Sequence, residues 1–537
     1  MDSGEAEEFD SSINDRLCDV CWENIVLDDS GEEFYEGTSC NDEPTLRHSG
    51  EGDDGIFLEP IRFWRDTLPD LPMMAESSAA GCRYRYEIFD TDPGWALWRC
   101  EVYAVEPAIH GLDKRIGALY FDIESSNSAV HRKTAPEPLD PASVEWLQLQ
   151  LRGCNDDCDH GKPESPFLPT RLIHVGQNED DLPRLVIVEN MLNSCTINGL
   201  EYAALTYCWG SKEEALKQAK TIKDTISTHC QGVPLSSLSP VVRDTIKVCR
   251  ALGILYLWVD TFCIIQGDNV DWDRESRMMG QIYSSCYVTI CPLSSRSCLQ
   301  GYLGPRPQGL EVEFQSSRHE YIRETYRLVF SSIDIDADPR WAVDRRPAQR
   351  KDLDKSSWNK RGWTFQESIL SPHMICFGPN MSHFVCENLI KSENGYIDRK
   401  VEHGKLQVII RRALGRPYNE SDRSVNSMAS VYEHWDSVRV IQRRVWTYRE
   451  DIFPGLAGIA QAFAAITGDT YLAGLWEHCL HHELIWYMPR PPVGDLASLL
   501  HSLQHADPYI APSWSWASQT TYQEDVVGWQ QRLRGSY

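Results

Sequence analysis

Tyr202-Ala-Ala-Leu-Thr-Tyr-Cys-Trp-Gly210, Leu257-Trp-Val-Asp-Thr-Phe-Cys-Ile-Ile-Gln266 and Tyr287-Val-Thr-Ile-Cys291 decide the fold. Within them Ala203–Cys208, Ile254–Val259 and Tyr287–Cys291 are short apolar runs of strand length. Helical patterns lie between them. Lys212–Lys223 is a polar helix or loop, and Ser239-Pro240 starts a helix, with Ser suited to the cap and Pro to the first turn. Val242, Ile246, Cys249 and Gly253 then fall on one helical face, and Gly253 suits the position just past the helix end. Asp271–Tyr283 is a second helix, with Met278, Met279 and Ile282 inward. Strand, helix, strand, helix, strand at this spacing predicts crossover connections and a parallel sheet. Ligands of such sheets bind beyond the carboxyl ends of the strands. That places Cys208, Trp209, Gly210, Asp260 and the Cys291–Ser295 turn at one edge.

Outward from this centre the chain changes character several times. Its 537 residues leave room for roughly three or four domains, and 42% apolar content with 18 Trp is a globular composition. The formal net charge is −27, and residues 1–57 supply more than half of it, with 18 Asp/Glu against Arg16 and Arg47. We read residues 1–57 as an acidic, solvated tail. This balance is opposite to the basic footprint of a nucleic-acid binder. The N-terminus lacks the basic start and apolar core of a signal peptide, and no apolar run approaches ~20 residues, so a cytoplasmic protein without a membrane span is expected. Its 18 cysteines are then expected to be mostly reduced.

Residues 58–165 read as a β-rich unit. Tyr84–Phe89, Trp95–Val105 and Ile116–Ile123 are aromatic and β-branched, with an Asp92-Pro-Gly94 turn between the first two. Val144–Leu151 is a short helix. Cys18, Cys21, Cys154, Cys158 and His160 form a C-x2-C and C-x3-C-x-H set of zinc-ligand types. The halves stand more than 130 residues apart, so scattered reduced thiols are the expectation and zinc is not. After a Pro-rich linker, Lys162–Pro169, Arg171–Val175 and Arg184–Val188 form a hairpin. The central unit spans 166–392, with an insertion at about 306–358 holding a strand at Tyr326–Ser331. Met374–Gly378 and His383–Glu387 are a strand pair. Residues 393–537 read as mostly helical and Trp-rich. Helices are expected at 402–414, 425–448, Leu456–Ile466 and Leu472–His481, and a strand at Ser513-Trp-Ser-Trp516. Arg439, Arg443, Arg444 and Arg449 read as a solvated face or as a dock for the acidic tail.

Two further blocks complete a pattern: Met279-Gly-Gln-Ile-Tyr283 and Arg361-Gly-Trp-Thr-Phe-Gln-Glu367. Together with the first two stretches, in this order, they resemble the HET (heterokaryon incompatibility) domain of filamentous fungi over roughly residues 166–390. Asp469–Trp476, Leu484–Tyr487 and Ala511–Ser518 are similar to the C-terminal region of those proteins. His373 stands where that family commonly carries Arg, a departure from the family pattern. The resemblance implies nonself recognition leading to regulated cell death, through a protein partner or self-association. It also implies a distant likeness to TIR domains, with a flavodoxin-like α/β core. Some TIR domains hydrolyse NAD with one glutamate at the start of a helix, which nominates Glu367 as the catalytic residue and NAD as substrate.

The residues themselves leave alternatives open. Glu367 stands three positions after Thr364, so the two also fit a helix capping box. If instead Glu367 faces the sheet edge, it can stabilise an oxocarbenium-like state, with Trp209 stacking, Gly210 permitting close approach and Asp260 binding a ribose hydroxyl. No cofactor or metal is needed for that chemistry. Cys208 and Cys263 have no local His partner and read as small buried hydrophobes. There is no P-loop, dinucleotide glycine fingerprint or Gly-x-Ser-x-Gly elbow. An effector module, a TIR-like NAD(P) glycohydrolase and an inactive scaffold are the functions compatible with the sequence.

Overall fold

The computed structural model describes residues 134–157, 167–192, 200–307, 348–386, 389–398, 444–484 and 509–518, the backbone of seven further strands, and single positions between 409 and 441. The chain divides into two compact units, one of residues 1–136, 305–351 and 393–396, the other of 137–304, 352–392 and 397–537.

The first unit is built on a seven-stranded sheet. Leu46–Asp53, Cys82–Thr91, Trp95–Ala104 and Lys114–Ser125 pair antiparallel in chain order, and Arg323–Asp334 with Leu310–Gln315 extends the same sheet. His131–Arg132 pairs parallel beside Lys114–Ser125. The aromatic and β-branched runs form strands as expected. The 306–358 insertion contributes its strands to this sheet and not to the central one. The Asp92–Gly94 turn lies outside the described residues.

The second unit is built on a nine-stranded sheet: β1 (Arg171–His174), β2 (Arg184–Ile187), β3 (Ala203–Leu205), β4 (Tyr256–Trp258), β5 (Val288–Cys291), β6 (His373–Phe377), β7 (Ser382–Cys386), β8 (Ile390–Ser392) and β9 (Ile397–Asp398). Their order is β9-β8-β7-β6-β5-β3-β4-β1-β2. The four central strands, β6, β5, β3 and β4, are mutually parallel. Both flanks are antiparallel, through the β1–β2 hairpin and the β6–β9 meander. The result is a mixed α/β sheet whose parallel centre is the part that crossover helices cover. Ala203, Ala204, Leu257, Val288 and Ile290 are fully buried, as strands covered on both faces require.

Five helices of this unit frame the site and its support: α1 (Pro141–Asp157), α2 (Pro240–Leu252), α3 (Asn269–Ser285), α4 (Trp363–Leu370) and α5 (Ala457–Thr467). The inward face of α2 is as read, and Gly253 ends it at φ +77°. Ser239 occupies the cap position, but its hydroxyl makes no capping bond, and Pro240 alone marks the start. A full capping box does occur at Ser211 and Glu214, opening the Lys212–Lys217 helix. α3 and α5 cross at closest approach through Gly280 and Gly458. A Cβ on either would stand 2.8 Å from the other's Cα.

The C-terminal third departs from expectation in three places, the first being the end of the helix expected over 425–448: residues 444–448 are not helical, and Val445 bridges to Arg361 instead. Leu472–His481 is not a helix: Tyr471–Leu472 and Leu475–Trp476 form a hairpin, and a short helix, Leu480–Glu483, follows. Ala473 (φ +43°) and Gly474 (φ +98°) make its two-residue turn, a left-handed conformation that the Ala-Gly pair makes accessible and that outweighs the apolar spacing. Ser513–Trp516 is not a strand. It enters a 3-10 turn, Trp516–Ser518, because the Trp516 indole donates to the Gly474 carbonyl (3.1 Å) and the Ser515 hydroxyl to the Ala473 carbonyl (2.6 Å). Trp435, Phe463 and Trp476 fill the core beneath, with ring centroids 4.9 to 6.2 Å apart. Trp516 is buried and Trp514 is exposed, while Trp486 lies outside the described residues.

Candidate functional site

The site lies where the parallel strands end. After β3 the backbone remains extended, and the Thr206 amide donates to the Ile290 carbonyl (3.0 Å). Successive side chains of an extended segment point to opposite faces. Thr206 and Cys208 take one face, Tyr207 and Trp209 the other, and the two faces collect different partners.

On one face, Thr206 meets Trp358 and Glu367. The Trp358 indole donates to the Thr206 hydroxyl oxygen (2.6 Å), and the Thr206 hydroxyl donates to Glu367 Oε2. An indole N–H can only donate, so this arrangement directs the threonine proton at the carboxylate. Glu367 is 7% exposed. It is no part of a capping box. Gly362 holds the cap position of α4 without a side-chain bond, and the Thr364 hydroxyl turns back to the carbonyls of Trp358 and Arg361 (2.8 Å each). Glu367 is spent on the sheet edge instead of on its own helix.

On the other face, the Trp209 indole donates to Asp260 Oδ2 (2.9 Å), while Asp260 Oδ1 accepts from the Thr261 amide (2.6 Å). The Lys220 ammonium stands 5.1 Å from the Trp209 ring centre. The Tyr207 hydroxyl donates to Gln218 (3.0 Å) and lies 3.3 Å from the Thr261 hydroxyl. Trp209 and Asp260 are half-buried. Gly210 is exposed at φ +85°, and its missing Cβ is crowded by Glu214 (2.4 Å) and Ser297 (2.5 Å), so the glycine lets the turn close upon the Ser211 cap.

Arg361 joins the two faces. Its guanidinium donates to the Tyr207 carbonyl, and its charge acts on both Asp260 and Glu367. Burial pushes the Glu367 carboxyl up to about 7, opposed by the Thr206 hydrogen bond and the Arg361 charge. Burial likewise raises the Asp260 carboxyl, against the Thr261 amide bond and Arg361. Such a site can hold or release a proton at Glu367 near neutral pH, beside an Asp260–Trp209 pair whose carboxylate and ring are engaged by Thr261 and Lys220.

The cysteines of the central stretches are packing residues. Cys208, Cys291 and Cys376 join Leu293, Trp358 and Met374 in a small apolar cluster. Burial raises the Cys208 thiol and pushes Cys263 up to about 12, so both stay protonated and non-nucleophilic. Of the zinc-type set only Cys154 is described, buried on α1, while Cys18, Cys21, Cys158 and His160 lie outside the described residues. Among the described residues no group of three or more His, Cys, Asp or Glu is arranged to hold a metal. Nor is any helix among them long and apolar enough to cross a membrane. His373 is buried, with Nδ1 3.0 Å from the Tyr287 carbonyl.

Sequence reasoning missed Thr206, Trp358, Arg361 and Arg444. The first three stand inside the motif blocks or directly before one, and the alternation of Thr206 with Tyr207 carried the signal. Arg444 does not line a solvated face: it bonds Arg361, Asn359 and Thr364. Arg449 reaches the Ala517 carbonyl (3.3 Å), and Arg439 and Arg443 lie outside the described residues.

Residues 202–367 match the family model of the heterokaryon incompatibility protein (HET). The chain is similar to "Heterokaryon incompatibility protein 6, OR allele" of Neurospora crassa, 26% identical over 204 aligned positions that cover 32% of this chain and 28% of that protein. The chain therefore spans well under two thirds of that relative. No solved structure matches.

Proposed function

The chain carries a HET domain, and from that premise we propose that it acts in fungal nonself incompatibility as an effector whose chemistry is hydrolysis of the nicotinamide–ribose bond of an NAD-type dinucleotide at the Glu367 edge. The observation that carries this reading is convergence. Thr206 and Trp209 of the first block, Asp260 of the second, and Arg361 and Glu367 of the last meet at one end of the parallel strands. A TIR-like descent of the core agrees with a parallel centre whose reactive acid sits beyond the strand ends.

In the proposed step the C1′–N bond breaks and its electron pair leaves with nicotinamide. Ionised Glu367 stabilises the oxocarbenium-like ribose, water bonds to C1′, and its proton goes to solvent or to Glu367. Asp260 accepts from a ribose hydroxyl, and Trp209 stacks on a ring. A carboxyl at about 7 divides between both forms at neutral pH, as a residue that alternately stabilises charge and takes up a proton requires.

A second reading is an effector that signals by contact alone, through a protein partner or self-association, with Glu367 as a structural keystone. The burial of Glu367 favours it. The acidic charge of the chain argues against a nucleic-acid partner in either case. Expressing the wild type and Glu367→Gln in a compatible fungal host separates the two. Death with NAD loss from the wild type alone supports the enzyme, and death from both at unchanged NAD supports contact signalling. Survival with both proteins folded and expressed removes the effector role.

A further inference from the structure

We propose that Arg444–Trp446, beyond the matched HET segment, is a strap that positions Arg361 and the first turn of α4 at the sheet edge, so that the site is completed from the C-terminal region. The inference rests on the reading of Glu367 as the reacting carboxylate.

The strap grips through the backbone. The Val445 amide donates to the Lys360 carbonyl (2.6 Å), and the Gly362 amide donates to the Val445 carbonyl (2.9 Å), with Arg361 and Val445 paired in parallel. It also grips through side chains. The Arg444 guanidinium donates to the Arg361 carbonyl (3.0 Å), the Thr364 hydroxyl (3.0 Å) and Asn359 Oδ1 (3.0 Å), and lies 5.0 Å from the Phe365 ring centre. One planar fork thus ties Asn359, Arg361, Thr364 and Phe365 across the junction between the Trp358–Lys360 turn and α4, which a lysine ammonium cannot do in the same geometry. The Trp446 ring fills the space over two glycines. A Cβ on Gly362 would stand 2.2 Å from it, and one on Gly455 2.4 Å.

The residue so held, Arg361, is the one whose guanidinium reaches the Tyr207 carbonyl and whose charge acts on both Asp260 and Glu367. The strap fixes its backbone on one side and the sheet receives its side chain on the other. Arg444 and Trp446 are therefore positioning residues that act through Arg361. The exposed Val445 side chain, at 42%, shows that the strap runs along the surface and is not threaded through the core.

The test follows the titration of Glu367 in the full chain by carboxyl-labelled NMR, its resonance identified by its loss in Glu367→Gln. Wild type, Arg444→Lys and Arg444→Ala are compared. If the fork positions Arg361, Arg444→Lys, which keeps the charge and loses the geometry, raises the midpoint by about half a pH unit or more, following Arg444→Ala. A wild-type midpoint in Arg444→Lys overturns the proposal, because charge alone then accounts for Arg444. Should Arg444→Ala fail to fold, Arg444→Lys carries the test by itself. Nicotinamide release by the wild type is assayed beside the titration. Its absence, or its persistence in Glu367→Gln, defeats the reading of Glu367 while leaving the strap to stand or fall on the midpoint.

Discussion

Replacing Glu367 with glutamine makes the pH dependence of stability a direct readout of the site. The folded carboxyl stands at about 7 against an ordinary 4.5. The folded pKa is the higher one, so in this interval the folded protein holds a proton that the unfolded chain has released. The contribution to stability is fully present below pH 4.5, falls as pH rises through about 7, and is gone above about 8. At about 1.36 kcal/mol per pH unit, the loss over the interval is about 3 kcal/mol. Glutamine keeps the shape and can accept from Thr206, yet it does not titrate. Urea denaturation of both proteins from pH 4.5 to 8.5 therefore gives a stability difference, variant minus wild type, that grows by about 3 kcal/mol with rising pH. Other titrating groups cancel in that difference. A difference independent of pH, or one that shrinks as pH rises, refutes the assignment of a buried, neutral-range carboxyl.

Three other outcomes follow from the same packing. Gly280→Ala forces a methyl against the Gly458 backbone and should cost about 1–3 kcal/mol of urea stability by separating α3 from α5. Arg171 is buried with Asp271 (2.6 Å) and Glu275 (3.2 Å), so Arg171→Ala leaves these two buried acids only the half-exposed Arg274 as a cationic partner and should cost about 3 kcal/mol, read by the same denaturation. Cys263, with its thiol at about 12 and no exposed surface, should remain unmodified by an alkylating reagent at pH 8 and react fully in denaturant, as peptide mass spectrometry will record.

The parallel centre was legible because β3, β4 and β5 are short apolar runs separated by helices with clear periodicity, and a helix end such as Gly253 announces itself. The position of Trp209 and Asp260 at the strand ends followed from that topology alone. The role of Glu367 did not. Thr364-x-x-Glu367 fits a capping box locally, and only the long-range contacts of Thr206 and Tyr207 with Trp358 and Arg361, in the segment before α4, decide that the carboxylate goes to Thr206. The same local rule held at Ser211 and Glu214, where no distant strand competes for the acid. The hairpin at Tyr471–Trp476 was hidden because apolar residues there satisfy helical spacing, and the left-handed turn at Ala473-Gly474 outweighs it. Arg444 was unreadable for a related reason. An arginine on a helical pattern reads as solvated unless the fold brings acceptors to its fork, and here the Arg361 carbonyl, the Thr364 hydroxyl and Asn359 Oδ1 come from a segment some 80 residues earlier.

The most direct measurement is nicotinamide release from NAD by the purified full chain, wild type beside Glu367→Gln, with folding of both verified. The wild type should release nicotinamide, and the variant should do so about 100-fold or more slowly, the scale on which removal of one transition-state electrostatic contact is felt. Equal release from both proteins, or none from a folded and incompatibility-active wild type, contradicts it.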